Sequence, residues 1–229
     1  MVIQRAEAEA RIAAAIAAAE SRTSGEIFCV LARSVSSYRE VSLTCAAAAA
    51  LILPLLLIPF GFEPSWVPGF SGGWEAGHLA ARDITVGHAL SAYALVQAGV
   101  FVMVFLLTSI PSVRRLVTPR GIRRSRVRKA AFQQFLAHGL HVTEARTGVL
   151  LFACLADHQV EVIADEGIHA KVDDSVWAEA AEALAQGLKR DDAAGGFETA
   201  IGLAGRVLAE HFPPAPRDRN ELDDRLVVI

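Results

Sequence analysis

At 229 residues the chain has room for one domain or two. Hydrophobic residues make up 53% and charged residues 21%, with a mean hydropathy of +0.37, which excludes a disordered chain and is too apolar for an ordinary soluble globule. A formal net charge of −3 gives no overall attraction for polyanions, and three cysteines without a close pair fit neither a disulfide scaffold nor a cysteine zinc site.

In chain order, Ile3, Ile12 and Ile16 on an alanine-rich background predict a helix over about residues 3–21, stopped at Thr23-Ser24-Gly25. Ile27 to Ala32 is a short apolar run without clean alternation, expected as a buried strand. From Val41 to Phe62 no residue carries a formal charge, and from Ile84 to Val113 there are 30 more. A bilayer core of roughly 30 Å needs about 20 helical residues, so spans are expected over 41–60 and 89–110. Pro54 and Pro59 are tolerated in membrane helices, where neighbours satisfy the freed backbone groups. Because the first run lies behind a charged, helix-like stretch, it is not expected to be a signal peptide. The connector, 61–88, carries six Gly, Pro64, Pro68, Trp66 and Trp74, and reads as an interfacial loop.

Beyond the second run come Arg114, Arg115, Arg120, Arg123, Arg124, Arg126, Arg128 and Lys129. The positive-inside rule keeps this block cytoplasmic and places loop 61–88 on the periplasmic or extracellular side, with both termini cytoplasmic and the chain a multi-pass protein of the inner membrane. Arg114, Arg115, Arg120, Arg123 and Arg124 are candidate contacts for anionic lipid headgroups. No aromatic residue interleaves with the basic ones between Arg114 and Lys129, so nucleic acid is not an expected partner.

A helix is expected over 122–138, with Ile122, Val127, Ala131, Phe135 and Leu136 toward one side. Val149 to Ala156 and Gln159 to Ala164 read as two antiparallel strands around an Asp157-His158 turn. Val172, Val176, Trp177, Ala180, Leu184 and Leu188 recur at helical spacing, capped by Asp173 or Asp174. Phe197, Ile201, Ala204 and Leu208 form a last helix, ended by Pro213-Pro214. Residues 215–229 read as a charged tail closing on Leu226-Val227-Val228-Ile229. The strand at 27–32 needs a neighbour that only the later piece can supply. The expected architecture is therefore one α/β domain, a small mixed sheet flanked by helices, built from 1–40 and 112–214 and interrupted by a two-helix hairpin, 41–111.

The order of elements resembles the TPM-domain family, also described as a family of phosphatases. The matching residues are Glu20 with Thr23-Ser24-Gly25-Glu26-Ile27, Ala131-Phe132 through Gly139-Leu140, and Arg146-Thr147-Gly148-Val149-Leu150-Leu151. Val162 to Ile168, Trp177 and Gly196-Phe197-Glu198-Thr199-Ala200-Ile201 match as well. The chain looks like the bacterial membrane branch, in which a hairpin interrupts the domain. Two departures stand out: the family's Gly-Tyr-Gly-Leu-Glu turn reads Asp165-Glu166-Gly167-Ile168-His169, and its Asp-Tyr pair before the last helix reads Asp192-Ala193.

Such a resemblance implies weak phosphatase activity and divalent-metal binding. The residues that would serve are Asp165, Glu166, Asp173, Asp174 and Asp192, with Asp191 nearby. They are expected together at one end of the sheet as oxygen ligands for Ca²⁺ or Mg²⁺, against a competing role as caps and turn residues. His138 and His141 lack the partners of a zinc site, and Gly139 suggests that their helix ends there. Cys29, Cys45 and Cys154 fall in apolar runs and read as packing thiols. The favoured function is a membrane-anchored module that offers an α/β domain to a protein partner; the alternative is a metal-assisted phosphatase.

Overall fold

In a computed structural model, residues 2–57, 59, 79–143, 145–214 and 221–229 are described. The chain divides into two compact units, Met1–Ser37 with Arg120–Ile229, and Tyr38–Pro119.

The first unit is built on helix α1 (Val2–Glu20) and strand β1 (Glu26–Ala32) from the start of the chain. After the second unit come α5 (Arg120–Ala137), β2 (Gly148–Cys154), β3 (Gln159–Ala164), the short α6 (Glu166–His169), α7 (Ala178–Lys189), α8 (Ala193–His211) and β4 (Leu226–Val228). Helices α2 to α4 belong to the second unit and are described below. The sheet order is β3-β2-β1-β4. Strand β1 is parallel to β2, with Glu26 opposite Gly148 and Ala32 opposite Cys154, and β2 is antiparallel to β3.

Unbroken apolar runs form β1 and β2 because both faces of the sheet are covered. Ile27, Cys29, Val149, Leu151 and Ala153 face α1, α7 and α8, meeting Ile12, Ile16, Leu184, Phe197, Ile201 and Leu208. Phe28, Val30, Leu150, Phe152 and Cys154 face the other way, onto Val127, Ala131 and Phe135 of α5. The layers are three helices, sheet, one helix. Each fully buried aliphatic or aromatic side chain contributes about 1.5–3 kcal/mol relative to exposure, so these two faces carry the stability of the unit. The α7–α8 packing is close enough that a Cβ on Gly187 would lie 2.5 Å from Gly196 Cα.

Several expectations shift. The tail is no appendage: Leu226–Val228 pairs parallel with Cys29–Leu31 as an edge strand. Residues 215–220 and the interfacial loop with Trp66 and Trp74 lie outside the described residues, although the second apolar helix already begins at Leu79 rather than at 89. Leu155 to His158 form a four-residue connection between Cys154 and Gln159, in place of a two-residue turn. The helix expected from Val172 starts as a 3-10 turn, Asp174–Trp177, which leaves Val176 38% exposed. Ile122 and Leu136 are 40% and 43% exposed. They fall about 180° and 140° around α5 from buried Ala131, at about 100° per residue, and so point outward. Gly25 does not adopt a left-handed conformation; a Cβ there would lie 2.9 Å from a Leu208 methyl, so close packing explains the residue. Gly139, by contrast, has φ +73° and ends α5 where the sequence predicts.

The second unit holds α2 (Arg39–Leu57), α3 (Leu79–Ser109) and the short α4 (Pro111–Val117).

Candidate functional site

The outward face of the α2–α3 pair is the most unusual surface of the protein. Along α2, Ser42, Ala46, Ala50 and Pro54 recur at four-residue spacing and are buried. On α3, Ala92 and Thr108 are buried, and the Ser42 hydroxyl donates to the Thr108 carbonyl at 3.0 Å. Small residues at such spacing let two helix backbones approach closely. The large side chains point away: Leu51, Ile52, Leu55, Leu56, Leu95, Val102, Met103 and Leu106 are each more than half exposed. Over Leu90–Ser109 only 6% of residues are buried, and over Arg39–Leu56 only 22%. A core helix of a soluble protein would bury most of such a window, and patches this large mark an interaction surface. Both helices are long and apolar enough to cross a membrane. Thr44 donates to the Glu40 carbonyl and Ser109 to that of Phe105, so these hydroxyls are satisfied within their own helices.

In the first unit, a cavity of about 210 Å³ opens where β1, β2 and β4 reach their carboxyl ends, beside the N-terminal turn of α8. Ile12, Leu31, Leu155, Phe197, Leu226 and Val228 form its apolar wall, with Glu9 and Arg33 as the charged side chains of the lining. Crevices outside the carboxyl ends of parallel strands are the usual ligand position in open α/β sheets. Its size is below the 300–1,000 Å³ of sites for drug-sized ligands. One large apolar side chain would fill it. Sequence reading missed this cavity because half of its wall comes from the unanticipated β4 and from the start of α8.

The acidic residues singled out from the sequence are not gathered together. Asp165 and Glu166 follow β3, whose end is paired with the beginning of β2: the Asp165 N–H donates to the Gly148 carbonyl at 2.9 Å. Asp192 precedes Ala193 and Ala194, which line the cavity at the opposite edge of the sheet. Because β3 is antiparallel, the loop after it emerges at the other end from the loops after β1 and β2. Four of the five carboxylates also have a local task. Asp165 accepts from the Glu166 N–H at 2.7 Å, Asp173 from the Ser175 N–H at 2.9 Å, and Asp192 from the Gly195 N–H at 2.9 Å. The Ser175 N–H and hydroxyl hold the Asp173 carboxyl below its ordinary pKa. Glu166 pairs with Arg146. The side chain of Asp174 lies outside the described residues. Among the described residues no group of three or more His, Cys, Asp or Glu side chains is placed to hold a metal. As placed, the described side chains of Asp165, Glu166, Asp173 and Asp192 form no common Ca²⁺ or Mg²⁺ centre.

A different carboxylate pair emerges at the amino end of β1. Glu20 accepts from the Ile27 N–H at 2.8 Å and Glu26 from the Glu221 N–H at 3.2 Å. Burial pushes the Glu20 carboxyl up to about 8, with Glu26 and Asp224 close by adding repulsion and the Ile27 hydrogen bond partly opposing it. The position links the end of α1, the start of β1 and the C-terminal segment. Nothing in the local sequence marks Glu20 as half-buried, because the acids beside it lie 6 and 204 positions away.

The thiols are packing groups in the described unit: burial pushes Cys29 far up, and Cys154, beside Asp157, up to about 11. The His138 ring lies 4.4 Å from that of Phe28, tilted by 34°, and burial lowers its pKa. Arg114 and Arg115 fall on α4. Arg120, Arg123 and Arg124 begin α5, where Arg124 lies 3.8 Å from Glu161.

Comparison with known proteins follows the same outline. A family model described as the TPM domain matches residues 113–207. The NMR structure of BA42 protein from the psychrophilic bacteria Bizionia argentinensis sp. nov. is similar in fold, with a TM-score of 0.54 at 19% identity, covering 98% of this chain and 94% of that one. No curated protein matches the chain. Residues 113–207 thus resemble the TPM domain, and the sheet they contribute to is completed by β1 and β4 from outside the matched stretch.

Proposed function

We propose that the chain is a membrane-anchored TPM-domain protein that offers its α/β unit to a protein partner at the cytoplasmic face of the inner membrane. The observation that carries the anchoring is the orientation of α2 and α3, with small and hydroxyl side chains between the helices and large aliphatic ones outside. In water that arrangement leaves apolar surface uncovered; in hydrocarbon it satisfies every term. The eight basic residues from Arg114 to Lys129 favour the cytoplasmic side for both flanks and the external side for the connector. A binding role is supported by the cavity at the carboxyl end of the sheet, whose apolar wall and small volume suit one side chain of a partner better than a phosphorylated substrate. The separation of Asp165 from Asp192, and the roles of Asp165, Glu166, Asp173 and Asp192 as caps or ion-pair partners, weigh against metal-assisted hydrolysis.

Alkaline carbonate extraction of membranes tests the anchoring, with retention in the pellet expected; release into the supernatant overturns it. A reporter fused within residues 61–88 is expected to read as external. For the binding role, Phe197→Ala enlarges the cavity wall, and Arg33→Glu reverses charge at its rim. The Arg33 variant should lose proteins that co-purify with the wild type from detergent-solubilised membranes, while melting at the same temperature.

A further inference from the structure

Helix α5 is amphipathic on two sides. Its inner stripe, Val127, Ala131 and Phe135, is buried against the sheet. A second stripe, Ile122, Lys129, Phe132 and Leu136, points the opposite way, with Ile122 40%, Phe132 52% and Leu136 43% exposed. These positions fall within about 80° of arc on the outer face, along roughly 21 Å of helix. The charge around them has one sign: residues 111–143 contain eight Lys and Arg and no Asp or Glu. Arg126, whose guanidinium donates to the Ser36 hydroxyl at 3.0 Å, flanks the stripe. Arg124 lies back toward Glu161 and so belongs to the sheet side.

An exposed aromatic and two aliphatics among lysine and arginine, on a stretch without an acid of its own, is the composition of a helix that lies in the plane of a membrane interface. The apolar groups enter the headgroup–acyl boundary while the basic side chains reach phosphates. A protein groove would cover the apolar residues equally well but leaves the one-sided charge unexplained. A nucleic acid would use the charge but not Ile122 and Leu136. We propose that the outer face of α5 docks on anionic phospholipid, as a second, electrostatic attachment that fixes the orientation of the α/β unit. The proposal rests on the anchoring described under Proposed function. It extends lipid contact from arginines near the span to a defined helix face, well beyond the run that topology alone requires.

The test uses the full chain reconstituted into vesicles of phosphatidylcholine, with or without phosphatidylglycerol. Phe132→Cys, in a Cys45→Ala background, carries an environment-sensitive fluorophore; Cys29 and Cys154 are buried. With phosphatidylglycerol the emission is expected to shift to the blue and to be quenched by lipid-borne spin labels, and high salt should reverse both changes. Lys129→Gln with Arg126→Gln should lower the docked-to-undocked ratio about 30-fold, from two lost headgroup attractions. The salt response of the unmutated helix decides the matter if that variant misfolds. A label that stays aqueous with phosphatidylglycerol, on a chain that resists carbonate, overturns the docking and leaves the anchoring intact. A chain released by carbonate removes both. A label that responds to added RNA in phosphatidylcholine vesicles but not to phosphatidylglycerol makes the face a nucleic-acid surface, and the docking is then wrong.

Discussion

Glu20 is an acid in surroundings that disfavour its charge. An acid with a folded pKa near 8 and an unfolded value near 4.5 binds more protons folded than unfolded across that interval. Stability from this group is complete below the unfolded value and is lost as pH rises through the folded one. Glu20→Gln keeps an oxygen for the Ile27 N–H and removes the charge. The variant should therefore be more stable than wild type at pH 9, by on the order of 1–3 kcal/mol after allowance for partial exposure, and equal to it near pH 4. Urea unfolding of the two proteins at both pH values checks this; a constant difference would mean that Glu20 does not titrate in that range. Asp192 makes a contrasting case. As the cap of α8 it holds the Gly195 N–H, so Asp192→Ala should cost about 0.5–2 kcal/mol. Millimolar Ca²⁺ should leave the melting temperature of the wild type unchanged. A rise of several degrees, lost in the Asp192 variant, would restore the metal reading that the geometry disfavours.

At the level of elements, β4 has consequences out of proportion to its three residues. Its Leu226 and Val228 wall the cavity, and the Ile229 carbonyl accepts from the Arg33 N–H at 2.8 Å while its own N–H donates to Leu31 at 3.1 Å. Truncation after Arg225 would remove these bonds and open one edge of β1. The expected loss is about 3 kcal/mol, from two hydrogen bonds and partly buried aliphatic surface. An unpaired edge invites strand addition, so the truncated chain should also self-associate, which light scattering reads directly. The contrast with β1 and β2 explains what the sequence reveals and what it hides. A strand covered on both faces is written as an uninterrupted apolar run, and the helices α1, α5 and α8 carry their stripes openly. Leu226 to Ile229 is equally apolar but too short to declare a strand, and its meaning depends on an edge some 200 residues earlier. Ile122 and Leu136 mislead for a related reason: a helix on a soluble domain has one apolar face, and α5 has two. The acidic residues were legible as caps, but their placement was not, because one antiparallel pairing sends Asp165 and Asp192 to opposite ends of the sheet.

For the molecule as a whole, the decisive fact is that the central strand and the rest of its sheet are separated by the second unit. Strand β1 pairs with β2 on one side and with β4 on the other, so residues 120–229 alone lack the strand that joins their own elements. That fragment should not melt cooperatively, despite containing nearly all of the matched stretch, residues 113–207. The reverse operation should succeed. Ser36 accepts from Arg126, so the end of the first piece lies beside the second turn of α5, about 9 Å along the helix from Arg120. A Gly/Ser linker of about eight residues reaches at most about 27 Å, ample to join Ser37 to Arg120 in place of residues 38–119. The fusion should be monomeric without detergent and should unfold in one transition. It should also retain the pH response of Glu20, since that depends on α1, β1 and the C-terminal segment alone. If the fusion aggregates while the full chain is stable in detergent, the α/β unit needs α2 to α4 for more than attachment. If it folds and fragment 120–229 does not, the hairpin is an insertion into a domain whose fold is already complete without it, and its purpose is position.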